Sequence, residues 1–175
     1  MRINKLILAA VMMAAFALLA QSVSAQDDRK PSTPEERAEA VRVAHVLETD
    51  PFNKEALGAR ERVLKWLAQA PDITVDVCTG FVSPLLGNKK NYSSELVAQQ
   101  ILSSAAFIIE HPDKAEEKPA VSLAGLEGIL KMYESILKTK PKAKWAYLDD
   151  LIEKRDKGEL NDYVMGVMKT GCKSE

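Results

Sequence analysis

Residues 92–110, YSSELVAQQILSSAAFIIE, are predicted to form a helix that neighbouring helices cover on two sides. At about 100° per residue, one half of its circumference is apolar. The other half carries mainly small side chains with only one charge, and Leu96 and Phe107 lie in the middle of it. Because a helix without a clearly polar face is normally buried, we place this helix at the centre of a bundle. A serine in the segment 92–95 offers an N-terminal cap, and Pro112 ends the helix.

The first 25 residues have the pattern of a secretory signal peptide. Arg2 and Lys5 precede an apolar run over residues 6–20, and Val23-Ser24-Ala25 supplies small residues for cleavage. This run is short for a membrane span, which needs about 20 residues, and a retained N-terminal anchor is the alternative interpretation. No cysteine directly follows the run, so the chain offers no acceptor for a bacterial lipoprotein. We therefore expect an exported protein, in a bacterial periplasm or outside the cell, with residues 26–32 as a disordered leader.

The 150 residues that remain after cleavage are enough for one domain, which we expect to cover residues 33–172. They contain 22 basic and 25 acidic residues, a net charge of −3, which argues against a nucleic-acid surface. Both cysteines of the chain, Cys78 and Cys172, lie in this part. An even number of cysteines in an exported chain predicts one disulfide, and two unpaired thiols are the alternative.

Helical periodicity recurs on both sides of the central helix. Thr33, Pro34 and Glu36 have the spacing of a capping box at the start of a first helix, and a second helix is predicted from about residue 53 to 69. Gly125 and Gly128 lie in a later helix, where glycine lowers helix stability, so they indicate the close approach of a neighbour. The sequence as a whole predicts an all-α, single-domain bundle of about six to seven short helices without a credible sheet.

The segment 73–77, Ile-Thr-Val-Asp-Val, is ambiguous because it alternates like a strand and is rich in β-branched residues. No second strand is available for it to pair with, and a lone strand is not stable. Val75, Cys78, Val82 and Leu85 also have helical spacing. We therefore predict a short helix here.

Two regions resemble the helix junctions of tetratricopeptide repeats. Residues 47–57, LETDPFNKEAL, are similar to one such junction, and residues 133–140, YESILKTK, followed by Pro141, are similar to the end of another. Pro51 and Pro141 are 90 residues apart, however, and the chain between them lacks the 34-residue period of that family. The resemblance implies packing in helical hairpins and a role in protein binding.

A second resemblance covers about fifty residues, from Cys78 to Leu130. This region looks like the Tai-type periplasmic immunity family in three features: the sequence Cys-Thr-Gly-Phe-Val at 78–82, a helix ending in a His-Pro break at 111–112, and the apolar helix after it. That resemblance implies a small helical protein that inhibits cell-wall amidase effectors of rival bacteria. The chain departs from the family by its long N-terminal helix pair, by its C-terminal extension and by the absence of a second cysteine close to the first.

Few residues suggest chemistry. His45 and Glu48 share a helix face and offer two metal ligands, but a partly buried structural histidine is the alternative. His111 lies at a helix end, where a cap accounts for it. The acidic patch at 149–153 has carboxylates in pairs, as glycosidases do, although surface carboxylates on helices are common. Ser103 and Ser104 lie on the central helix, where packing explains them, and the chain has no nucleophile elbow or glycine-rich phosphate loop.

Two basic clusters are the remaining candidates for binding. One is the loop Lys89, Lys90, Asn91 and Tyr92, and the other is the lysine-rich segment 138–144. Each suits an acidic partner or a lipid headgroup, and solvated turns are the alternative for both. The loop at 89–92 is the better candidate, because binding residues concentrate on loops held by a rigid scaffold.

These observations favour an exported, non-enzymatic helical module that binds a protein partner and carries no catalytic residue, metal or cofactor. Two alternatives remain open. One is a periplasmic immunity-type inhibitor of a cell-wall amidase. The other is a metal-binding protein or an enzyme that uses His45 and helix carboxylates.

Overall fold

The computed structural model describes residues 30–86 and 91–172, and these residues form an all-helical bundle without strands. The predicted signal peptide, the leader up to residue 29, and Lys89 and Lys90 lie outside the described residues. None of the helices in these ranges combines the length and the apolar character that crossing a membrane requires. The described residues contain seven α-helices: α1 Pro34–Thr49, α2 Lys54–Leu67, α3 Thr79–Leu86, α4 Ser93–Glu110, α5 Lys118–Thr139, α6 Ala146–Asp156 and α7 Leu160–Gly171.

The first helix starts where its capping residues predict. The Thr33 side chain accepts a hydrogen bond from the Glu36 amide at 3.2 Å, and the Glu36 carboxylate accepts one from the Thr33 amide at 2.8 Å. Pro34 occupies the first turn, where its missing N–H is not needed. The capping box predicted from the sequence is therefore confirmed, and α2 begins in the same way after Asn53, whose side chain accepts from the Ala56 amide.

Helix α4 is the centre of the bundle, as predicted, and packs most extensively against α5 and α1. Leu96 is fully buried on the face that looked polar in the sequence, and Phe107 is half-buried. The predicted serine cap is wrong, because the residue before the helix is Tyr92 and its side chain makes no capping bond. Ser93 instead donates to the Leu85 carbonyl at 2.7 Å and so ties the start of α4 to the end of α3.

Helices α4 and α5 approach each other closely at Gly125 and Gly128. A Cβ atom on Gly128 would overlap the Ser103 side chain and would lie 3.1 Å from Glu48 Oε1. A Cβ atom on Gly125 would overlap Ser104 Oγ in the same way. The close neighbour that the two glycines predicted is therefore the pair of serines on α4.

The predicted disulfide is present. Cys78 and Cys172 are bonded, with Cα atoms 5.0 Å apart, and they join residues 94 positions apart in the chain. The bond holds the segment before α3 against the end of α7. Thr79 adds a second link there, because its hydroxyl donates to the Gly171 carbonyl at 3.2 Å.

Residues 73–78 are neither helix nor strand, so the helix predicted over this segment is confirmed only from Thr79 onward. Ile73 is 3% exposed and packs with Ile108 of α4 and Val121 of α5. Thr74 is exposed, Val75 is half-buried and Asp76 is exposed. Ile73 and Val75 pack on the bundle and alternate with the exposed Thr74 and Asp76, as in a strand. The alternation ends there, because Val77 is 41% exposed.

Candidate functional site

The predicted partner-binding loop is described only at its second half. Asn91 and Tyr92 have left-handed backbone conformations, with φ of 63° and 65°. Non-glycine residues rarely adopt this conformation, and asparagine tolerates it best. Two such residues in succession turn the chain sharply into α4.

Contacts with the scaffold hold this turn in place. The Tyr92 ring packs edge-on against Phe52 with centroids 5.6 Å apart, and Asn91 Nδ2 donates to the Lys144 carbonyl at 3.4 Å. A cavity of about 260 Å³ opens beside the two rings, and Arg60 contributes to its wall. The described part of the loop therefore lies against the second basic segment at Lys144, and a binding role for the loop stays a prediction.

A buried polar network centres on Glu48, whose side chain is only 6% exposed. Its Oε1 accepts a hydrogen bond from Ser103 Oγ at 2.8 Å, and its Oε2 accepts one from Lys131 Nζ at 3.3 Å. Gln99 Nε2 donates to Ser103 Oγ at 2.9 Å and to the Ala44 carbonyl at 3.0 Å. The network joins α1, α4 and α5, and it satisfies a carboxylate that would be costly to bury alone.

His45 connects this network to the end of α4. Its Nδ1 lies 3.3 Å from Glu48 Oε2, and its Nε2 lies 3.1 Å from Glu110 Oε1. Partial burial works to lower the pKa of His45, but hydrogen bonds to Glu110 and Glu48 and their negative charges outweigh it and raise the pKa above 6.5. The protonated imidazole is thus a bridge between two carboxylates.

This arrangement does not have the geometry of an activated nucleophile. Ser103 donates its proton to Glu48 rather than to a histidine, and it is 4% exposed, whereas a catalytic serine needs an adjacent base and access to substrate. Among residues 30–86 and 91–172, no group of three or more His, Cys, Asp or Glu side chains is arranged to hold a metal ion.

The acidic patch of α6 is divided among separate partners. Asp149 accepts a hydrogen bond from the Tyr133 hydroxyl at 2.8 Å, Asp150 pairs with Lys154 at 3.4 Å, and Glu153 pairs with Lys157 at 2.5 Å. Burial and the bond to Asp149 raise the pKa of Tyr133 to about 12. The three carboxylates therefore have individual structural contacts.

A groove follows the segment 71–79, and it was not predicted from the sequence. It consists of two cavities, of about 410 and 270 Å³, that share Asp76 and Lys118 in their walls. Val77, Met168 and the disulfide line the larger cavity. Three carboxylates line the smaller one, from Asp72, Asp76 and Glu116.

An ion pair crosses the groove between the two cavities. Lys118 Nζ lies 2.8 Å from Asp76 Oδ2, and the two side chains are 67% and 61% exposed. The hydrogen bond and charge of Asp76 raise the pKa of Lys118. Water screens so exposed a pair, and a ligand can open it at little cost.

Both ends of the groove segment are fixed. Asp72 accepts hydrogen bonds from Ser32 Oγ and from Arg37 Nη2, each at 2.7 Å. The Ser32 hydroxyl and the Arg37 guanidinium lower the pKa of Asp72 to about 2, against a smaller opposing effect of burial. The other end is held by the bond between Cys78 and Cys172. A surface that is exposed in the middle and fixed at both ends is suited to binding without a large ordering cost.

No family model, curated protein or solved structure matches this chain. The resemblances to tetratricopeptide repeats and to Tai-type immunity proteins therefore stay predictions. The signal for the groove was present in the sequence, since the β-branched alternation at 73–77 marked a segment that suits neither a helix nor a lone strand.

Proposed function

We propose that this protein is an exported, non-enzymatic module that binds a protein partner in the groove along residues 71–79. The observation that carries this proposal is the segment itself, which is exposed at Thr74, Asp76 and Val77 and anchored at Asp72 and Cys78. The rest of the bundle acts as the rigid scaffold that keeps the segment in place.

Two features support a binding role over a catalytic one. The buried polar groups of the Glu48 network bond mainly to one another, and the serine among them faces a carboxylate. The groove, in contrast, places apolar, acidic and basic side chains within reach of solvent. Protein interfaces combine an apolar centre with a polar rim, and the two cavities offer both.

The disulfide supports export. Disulfides form and persist in oxidising compartments, and the pair Cys78–Cys172 joins two distant parts of the described chain. Expression in a bacterium followed by osmotic shock tests this step. We expect release of a processed, oxidised chain that starts near Gln26, and retention of unprocessed, reduced protein in the cytoplasm would contradict it.

Site-specific photo-crosslinking tests the binding role. A benzophenone amino acid replaces Thr74 in the groove in one variant, and Lys157 in the control. Lys157 lies before the first turn of α7, whereas the groove meets the opposite end of that helix at Met168. We expect discrete adducts in the bacterial envelope from position 74 and none from position 157. Equal adducts from both positions, or none from position 74, would refute the proposal.

A further inference from the structure

Building on the proposed function, we infer that the occupant of the groove is an extended peptide that adds as a strand beside residues 73–77. Its inward side chains alternate, so that a basic residue enters the smaller, acidic cavity and an apolar residue enters the larger one. The partner class is therefore a protein with an exposed basic and apolar segment in β conformation, rather than one that presents a helix.

The backbone of the segment carries the first part of the argument. Within the described ranges, residues 73–77 neither donate nor accept a backbone hydrogen bond, although they have β-branched residues at four of five positions. Every backbone N–H and C=O group needs a partner, which here is water in the free protein. A row of such groups is a template for one more strand, as at the open edge of a sheet.

The side chains of the groove define the sequence of the occupant. Asp72, Asp76 and Glu116 line the smaller cavity. Arg37 pairs with Asp72 and Lys118 pairs with Asp76, so Glu116 leaves this wall with a net negative charge. Alternate side chains of a strand are about 6.8 Å apart and lie on one face. A basic residue and an apolar residue two positions apart in a bound peptide therefore match neighbouring cavities on the two sides of Asp76.

The ion pair between Asp76 and Lys118 gives the groove a simple way to accept such a peptide. Both side chains are mostly exposed, so a basic residue of the peptide replaces Lys118 as the partner of Asp76 without moving a helix. Lys118 then turns into solvent. The exchange conserves the number of ion pairs, and the gain in binding comes from strand hydrogen bonds and the apolar cavity.

A phage library of random nonapeptides, selected on the purified, disulfide-bonded protein, tests this inference. We expect enriched peptides in which basic and apolar residues recur at a spacing of two. Binding of an enriched peptide should fall about tenfold or more on Glu116→Lys and on Val77→Glu. It should be unchanged on Leu86→Glu, a matched control, because Leu86 is 61% exposed and does not line the groove.

Methylation of alternate backbone nitrogens in the enriched peptide separates strand addition from simple charge attraction. It should weaken binding about tenfold or more, because the methyl groups remove the donors that a strand needs. Four results would each overturn the inference: enriched peptides with helical spacing, full binding after methylation, no enrichment at all, or self-association of the protein through residues 73–77. Crosslinks at position 74 combined with such a result would retain the proposed function and reject only the strand.

Discussion

The substitution Gly128→Ala tests the contact between the two central helices most sharply. In an isolated helix, alanine is about 1 kcal/mol more favourable than glycine. In this bundle the new methyl group would overlap the Ser103 side chain and would lie 3.1 Å from Glu48 Oε1. Both neighbours are buried, so neither can move into solvent.

The expected loss follows from two terms. Overpacking of a tight helix contact costs about 1–3 kcal/mol. Displacement of Ser103 also breaks its 2.8 Å bond to the Glu48 carboxylate, and a hydrogen bond to a charged group is worth about 1.5–3 kcal/mol. After the gain in helix propensity, we expect Gly128→Ala to lower the free energy of unfolding by about 1.5–5 kcal/mol.

Gly58→Ala is the matched control, because Gly58 lies within α2 and a Cβ atom there would meet nothing within 4 Å. It should raise the free energy of unfolding by about 0.5–1 kcal/mol. Urea unfolding followed by far-UV circular dichroism measures both variants. If the two substitutions stabilised the protein alike, the close packing of α4 against α5 would be refuted.

Replacing both Cys78 and Cys172 with serine opens a loop of 94 residues and should lower the free energy of unfolding by about 2–5 kcal/mol. Urea unfolding measures this change, and equal stability of the variant and the oxidised protein would contradict the prediction. His45→Gln should destabilise the protein more at about pH 5.5 than at about pH 9. The pKa of His45 is raised in the folded protein, so its protonation stabilises the fold fully below the unfolded-state pKa near 6.5, and this stabilisation is lost as the pH rises through the folded-state pKa. Thermal unfolding across this range measures the difference, and a pH-independent effect would show that the bonds of His45 to Glu48 and Glu110 do not depend on its charge.

Local signals were sufficient for most of the helices. The capping box at Thr33 and the proline at the first turn of α1 act within a few residues, so the sequence alone located the start of that helix. Gly125 and Gly128 indicated a close neighbour for a similar reason, since their cost to an isolated helix requires a compensating contact.

The contacts that depend on tertiary structure were not predictable in this way. The sequence offered Glu48 as a metal ligand beside His45, but the structure bonds it to Ser103 and Lys131, which are 55 and 83 residues away in the chain. The segment 73–77 was assigned to a helix because no strand was available to pair with it. What it packs on is the surface of α4 and α5, which becomes visible only when the bundle is assembled.

Hydrogen–deuterium exchange of the free, disulfide-bonded protein, resolved to single amides by NMR, tests the open backbone edge on which the inference of strand addition depends. We expect the amides of residues 74–77 to exchange with protection factors below about 10, while those in the middle of α4 and α5 exchange orders of magnitude more slowly. Protection at residues 74–77 equal to that of α4 would contradict the account, because the backbone of the segment would then already have partners.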